Sequence, residues 1–232
     1  MRLGFRMISG LSEYVANDIV RIRDLCPYES FDSFRSRTRF EASVLSRLSR
    51  ADAFASLDLS RRPALWESLP NQRSYPLYDD QQQQDTPPTL PTMSQFAEVI
   101  ADYRATGLSL KGHPLETFRQ DFQRMKIVTA AELIDQPADR KVRVAGIVLN
   151  RQHPGSARGI TFMTLEDETG TANLLVHPNT WARFRTIART ASALIARGML
   201  QKEGSVIHII VDHLQDCSTG IAGARYKSRD FR

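Results

Sequence analysis

The feature that most limits how this chain can fold is a change of hydrophobic period at residue 140. Before it, apolar residues recur every three or four positions; after it, every second one. In KVRVAGIVLNRQ, Val142, Val144 and the Ile147 region alternate in the manner of a half-buried strand. ITFMTLED and TANLLVHP read as two further strands and NTWARFRTIAR as a helix. ALIARGMLQKEG and SVIHIIVDHLQD read as two last strands around a tight Glu203–Gly204 turn. Three strands, a helix and two strands is the order of a five-stranded OB-type barrel.

The upstream part is helical. Ser12 is placed to cap a helix with Val15, Ile19 and Ile22 on one face. Ser30 or Asp32 caps the next, and SVLSRLSRADAF sets Val44, Leu45, Leu48 and Phe54 at helical intervals. A short helix is expected over Leu59 to Leu69, with Trp66 on its buried side. Residues 70–92 contain five prolines and four consecutive glutamines with no apolar period, the composition of a linker. A helix from Ser94 to Thr106 follows, stopped by Gly107, then a turn at Gly112–Pro114 and a helix around Phe118 and Phe122. The expected fold class is therefore α+β in two parts: a helix-hairpin-helix region over 1–69, the linker over 70–92, connector helices over 93–138, the OB-fold domain over 139–217 and a basic tail over 218–232.

Charge is unevenly spread. Residues 1–62 hold 11 basic and 8 acidic side chains, 63–139 hold 6 and 11, and 140–232 hold 14 and 7. The successive net charges of +3, −5 and +7 suggest a polyanion as partner of the two ends, although solubility alone also accounts for a basic surface. No run of eighteen apolar residues and no secretory leader pattern occurs, so a membrane span is not expected. Cys26 and Cys217 form no CxxC pair, which fits a reducing cytoplasm and argues against structural zinc.

Glu166, Asp167 and Glu168 stand in a row in TLEDETG. Carboxylates that hold catalytic metals project from different elements toward one ion, whereas three consecutive residues on a turn diverge. The trio is read as the turn between the second and third strands, with Gly170 supplying the backbone freedom. No nucleophile constellation or phosphate-cradling glycine loop is present, and the five histidines are scattered. No catalytic, metal or cofactor site is expected in this chain.

Nucleic acid is the ligand the barrel suggests. OB barrels hold single strands across strands two and three, flanked by the loops after strands one and four. The first loop, RQHPGSARG, offers Arg151, His153 and Arg158; the second, QKEGS, offers Lys202. Phe162 and His177 are candidate base-stacking rings, with a core role for Phe162 and a strand-end role for His177 as the alternatives. At the N-terminus, the turn around Gly10 is a candidate phosphate grip. Arg6 and the cluster Arg35, Arg37 and Arg39 would supply charge there, unless they form only a solvated face.

Several segments in order resemble the C-terminal part of bacterial C-family DNA polymerases, and in particular the error-prone, DnaE-like branch. GLSEYVANDIVRIRD with LSRADAFASLDLSRRPALW is similar to that family's tandem hairpin region, YRATGLSLKGHPL to its connector, VRVAGIVLNRQHPGSARGITFMTLEDETGTANLLVHP to its OB domain, and KSRDFR to the ending of the error-prone branch. The resemblance implies DNA binding within a cytoplasmic translesion polymerase that acts in DNA repair and damage-induced mutagenesis. It implies as partners single-stranded or primer-template DNA, a Y-family-like polymerase homologue and a small accessory protein. The family is a DNA-directed DNA polymerase, but its palm acids, fingers and phosphoesterase-like domain have no counterpart here. No catalytic residue carries over, and magnesium is implied only for the missing catalytic part. The expectation is a truncated or split-off piece; the alternatives are a stand-alone single-strand-binding module, an RNA binder and a decayed gene product. Ser12 and Asp52 stand where hairpin glycines are typical, and His177 where the family often has an aromatic residue.

Overall fold

A computed structural model describes residues 3–69, 90–155, 159–204, 206–221 and 229–231. The chain divides into two compact units, Met1–Leu108 and Ser109–Arg232. The segment read as connector helices, 93–138, is thus shared between them. The expected linker, apart from 90–92, lies outside the described residues, as does most of the C-terminal tail. No helix among the described residues is long and apolar enough to cross a membrane.

Among the described residues the first unit contains five α-helices: α1 (Glu13–Leu25), α2 (Phe31–Thr38), α3 (Ala42–Arg50), α4 (Arg61–Glu67) and α5 (Gln95–Thr106). Local chemistry starts three of them, since the hydroxyls of Ser12, Ser30 and Ser94 accept from the amides of Val15, Ser33 and Ala97. Gly107 ends α5 in the left-handed region. The core joins Ile8, Ile19, Phe31, Phe34, Leu45, Leu48, Phe54 and Ala64. Phe54 meets both Phe31 and Phe34 edge-on, at 4.8 and 5.0 Å between centroids.

One expectation fails on α4. Trp66 is 51% exposed, and the residues facing inward are Arg61, Ala64 and Ser68. The guanidinium of Arg61, 3% exposed, donates to the carbonyl of Arg50 and pairs with Asp102 and, at 3.1 Å, with Glu98 on α5. Burying that charge against these two carboxylates and Asp52 fixes the rotation of α4, and Trp66, two residues beyond Ala64, points away.

The second unit is a closed barrel. It is built from β1 (Lys141–Gln152), β2 (Thr161–Asp167), β3 (Gly170–Val176), β4 (Ala193–Glu203) and β5 (Val206–Asp216). The strands neighbour one another in the order β2-β3-β5-β4-β1, and β1 closes the ring by pairing with β2. All contacts in the ring are antiparallel except β3 with β5. A short β6 (Arg229–Phe231) adds a parallel pairing to the end of β1. The interior is filled by Val142, Val144, Val148, Met163, Leu165, Leu174, Val176, Leu194, Leu200, Ile209 and Leu214, among others. The expected helix between the third and fourth strands is two short ones, α7 (Pro178–Arg183) and α8 (Arg185–Thr190). They part at Phe184, whose ring packs on the core and edge-on to His213 at 5.0 Å.

Of the acidic trio, Glu166 and Asp167 end β2 and only Glu168 lies in the turn, which also works as a clasp. Oδ1 of Asp167 accepts from the amides of Thr169 and Gly170 at 2.8 and 3.1 Å, which closes the β2–β3 reversal. Its Oδ2 accepts from the amide of Ala130 at 2.8 Å. Arg119, on α6 (Arg119–Arg124), bonds both oxygens of Glu168. The segment before the barrel is thereby fastened to the turn. Within that segment, Nδ1 of His113 accepts from the amide of Leu115, a role that needs a neutral ring. Burial pushes the pKa of His113 down, against the pull of Glu168 and Asp167, and so favours that neutral form.

Closure depends on two glycines. A Cβ on Gly146 would overlap that of Leu165 and press on the backbone of Glu166, and one on Gly198 would overlap the carbonyl of Ile210. Gly146→Ala should lower the unfolding free energy by about 1–3 kcal/mol, the cost of overpacking. Urea denaturation of the whole chain measures this, and an unchanged midpoint would mean that β1 and β2 can part there freely.

Candidate nucleic-acid interface

The outside of the barrel carries two distinct rows of side chains. Register places Gln152 opposite Phe162, Phe162 opposite Leu175, Leu175 opposite Ile210 and Ile210 opposite Met199. Their strand neighbours Met163, Leu174, Val176, Ile209 and Leu200 are buried, whereas Phe162, Leu175, Ile210 and Met199 are half-buried. Alternation therefore turns these four away from the core. Phe162 is a surface ring. The next row is polar and runs through Asn150, Thr164, Asn173, His208 and Gln201, with the Thr164 hydroxyl 3.3 Å from Oδ1 of Asn173. An apolar strip beside a line of amide, hydroxyl and imidazole groups can stack flat rings and hydrogen-bond their edges. At the far end of the face sits Glu166, whose carboxyl is pushed up by burial and then by Asp167.

The loop residues divide sharply. His153 is exposed beside the row, with Nδ1 2.9 Å from the hydroxyl of Thr161 and its ring 6.4 Å from that of Trp181. His177 is exposed at the N-cap of α7, two residues past Leu175 on the same side of β3. Arg158 lies outside the described residues. Lys202 is half-buried, and its ammonium donates to the carbonyl of Ile134.

Arg151 is a correction. It is 8% exposed, and its guanidinium donates to the carbonyls of Ala188 and Ala191 at the end of α8. A bulge between Val148 and Asn150 is the reason. Val148 pairs with Leu165 and Asn150 with Thr164, so the skipped residue reverses the phase and Arg151 faces inward opposite Met163. Its charge is spent on capping a helix, not on a loop rim.

The hairpin turns are mixed. Gly10 is exposed with φ +76°, and its carbonyl accepts from Arg47 at 2.8 Å, which pins the turn to α3. Arg6 is exposed on the 3-10 turn Phe5–Met7. At the start of α1, however, Ser12 occupies the amide of Val15 and Glu13 adds a negative charge, both unfavourable to a phosphate there. The second turn holds Asp52 at φ +56°, 3.9 Å from Arg61. Arg37 is structural: it donates to the carbonyls of Ile22, Cys26 and Pro27 and stacks on Tyr28. Arg35 and Arg39 line an open hollow of about 490 Å³ with Asp32, Ser36 and Phe40. Among the described residues no cluster of three histidine, cysteine or carboxylate side chains could hold a metal ion. The thiol of Cys217 is pushed up to about 12 by burial and by Asp216.

Comparison with known proteins agrees with this architecture. A family described as "Helix-hairpin-helix motif" matches residues 1–64, and one described as "OB-fold nucleic acid binding domain" matches 142–216. The whole chain is 40% identical to an error-prone DNA polymerase of Rhodopirellula baltica, over 21% of that protein. It is 40% identical to error-prone DNA polymerase 1 of Rhizobium meliloti, again over 21% of its length. Error-prone DNA polymerase 1 of Agrobacterium fabrum is 38% identical, with 22% covered. Its homologues are error-prone DNA polymerases. The chain spans about a fifth of the length of these relatives and corresponds to their C-terminal hairpin and OB-fold regions.

In this chain, then, the barrel face is made by Phe162, Leu175 and Ile210. Leu175 and Ile210 are not apparent from the sequence as partners of Phe162, since alternation gives each strand its faces but not its neighbours. Arg151→Met should lower stability by about 2–4 kcal/mol, because two helix-end carbonyls lose their donor. The same substitution should leave the salt dependence of nucleic-acid binding unchanged. Thermal unfolding and a salt titration with labelled oligo-dT check both halves; a reduced salt slope in a folded variant would return Arg151 to the interface.

Proposed function

We propose that this chain is the DNA-holding portion of an error-prone polymerase. In this reading, the outer β1–β2–β3–β5 face of the barrel takes the unpaired bases of a single strand or primer-template junction. The half-buried strip of Phe162, Leu175 and Ile210 beside a polar row carries the reading. Homology over the whole chain to error-prone DNA polymerases supports DNA as the ligand.

The wider role belongs to the same proposal. Polymerisation with magnesium is the work of portions of such an enzyme outside the fifth that this chain matches. The assembly acts in the cytoplasm in translesion synthesis during DNA repair, together with a Y-family-like polymerase homologue and a small accessory protein. Deleting the gene in its host should lower damage-induced mutation frequency; an unchanged frequency would remove the translesion role.

The binding reading is tested by fluorescence anisotropy of labelled oligo-dT with the whole chain at two salt concentrations. Affinity should fall as salt rises. Phe162→Ala should weaken binding about 5- to 150-fold, the equivalent of roughly 1–3 kcal/mol for one stacked base. A matched RNA bound more tightly than DNA would identify a 2′-hydroxyl-reading site and displace the proposal. Equal affinity for wild type and Phe162→Ala would remove the strand from this face.

A further inference from the structure

The helices that join β3 to β4 carry a charge pattern that neither the fold nor the sheet face accounts for. Between Glu168 and Glu203 the chain has no acidic residue, and α7 and α8 hold Arg183, Arg185 and Arg189. All three arginines are exposed. Among the described residues no carboxylate pairs with any of them, and Arg183 rests on the ring of Phe184 at 5.2 Å. Arg185 and Arg189 stand one turn apart on α8, the spacing at which like charges destabilise an exposed helix. Arg183 and Arg189 lie in the last turns of α7 and α8, where a cation is favoured, but Arg185 at the start of α8 opposes the helix dipole. The arrangement weakens the isolated helix and leaves a concentrated positive surface.

That surface adjoins the proposed strand-binding face. β3 passes from Leu175 through His177 directly into α7. The loop after β1 touches the same helix, with His153 6.4 Å from Trp181 and a Cβ on Gly159 only 3.1 Å from the ring of Pro178. A strand stacked along Phe162 and Leu175 and leaving past His177 would run onto the arginines. Charge complementarity selects its occupant: a phosphodiester backbone supplies evenly spaced anions that need no shaped pocket.

We propose that the α7–α8 surface is a second nucleic-acid contact, in which Arg183, Arg185 and Arg189 hold the phosphates of the same strand as it leaves the sheet. This rests on the strand-binding reading above. It lengthens the footprint beyond the bases covered by the sheet and adds affinity that is independent of sequence.

The test uses the whole chain, the variant R183Q/R185Q/R189Q, and labelled oligo-dT of about 6 and about 20 nucleotides, short and long relative to one OB barrel. For the long oligomer the logarithmic salt slope should become shallower by about 2, three phosphates at roughly 0.7 each. Binding of the short oligomer should not change. R183K/R185K/R189K keeps the charge and should keep the slope, and the thermal midpoint of the glutamine variant should stay level or rise as repulsion is removed. An unchanged slope for the long oligomer would overturn the proposal and leave the arginines to an acidic protein surface. Phe162→Ala, run in parallel, separates the two readings. If it weakens both oligomers while the glutamine variant matches wild type, only the second contact fails. If it has no effect while the glutamine variant loses slope, only the sheet face fails. A wild-type chain that binds neither oligomer overturns both.

Discussion

Closure of the barrel by β1 is the constraint on which the second unit depends. One strand pairs with β4 through residues 141–147 and with β2 through 147–152, so it must leave one neighbour and join the other within its length. Gly146 lies at that hand-over, where the backbone of β2 comes too close for any side chain. The bulge a few residues later reverses the strand's phase and turns Arg151 into the barrel end. There the guanidinium meets the last carbonyls of α8, so the feature that bends β1 also seats the helices capping the barrel. The outer face follows from the same geometry, because closure brings β1, β2, β3 and β5 into one continuous surface.

The chain's elements were largely legible in its sequence, and its long polar side chains were not. Ser12, Ser30 and Ser94 announce three helix starts, Gly107 a helix end, and alternation the five strands in their order. Each of these signals is local, carried by one residue's conformational preference or by a period of two. Trp66 and Arg61 mislead for the opposite reason. Apolar character predicts the indole inside, but three carboxylates on other elements draw the guanidinium in and turn the indole out. No pattern within 59–69 contains those partners. Arg151 misleads in the same way, since nothing in VLNRQ marks the bulge that reverses its direction.

The acidic turn shows how one short segment can hold distant parts of a unit together. A reversal needs only a glycine and a side chain that accepts from the next amides, and Asp167 with Gly170 supplies both. The remaining oxygen of Asp167 and the carboxylate of Glu168 reach back to Ala130 and Arg119, about forty to fifty positions earlier in the chain. Because these charges are only partly exposed and each meets a donor, their repulsion is offset within the clasp. The same carboxylates are therefore engaged in holding the turn and the segment before the barrel together.

Arginine serves two opposed purposes here, and the distinction bears on any inference from net charge. Arg37, Arg61, Arg119 and Arg151 give their hydrogen-bond donors to carbonyls or carboxylates, so fewer are left for a phosphate. Counting them as phosphate contacts overstates the N-terminal hairpins and misplaces the contacts of the barrel. Arg183, Arg185 and Arg189 are exposed on helices with no acid nearby in sequence, where the field is not offset. The total of +5 is the same whichever arginines are counted. What decides where a phosphate backbone can lie is which guanidinium groups still have their hydrogen-bond donors to give.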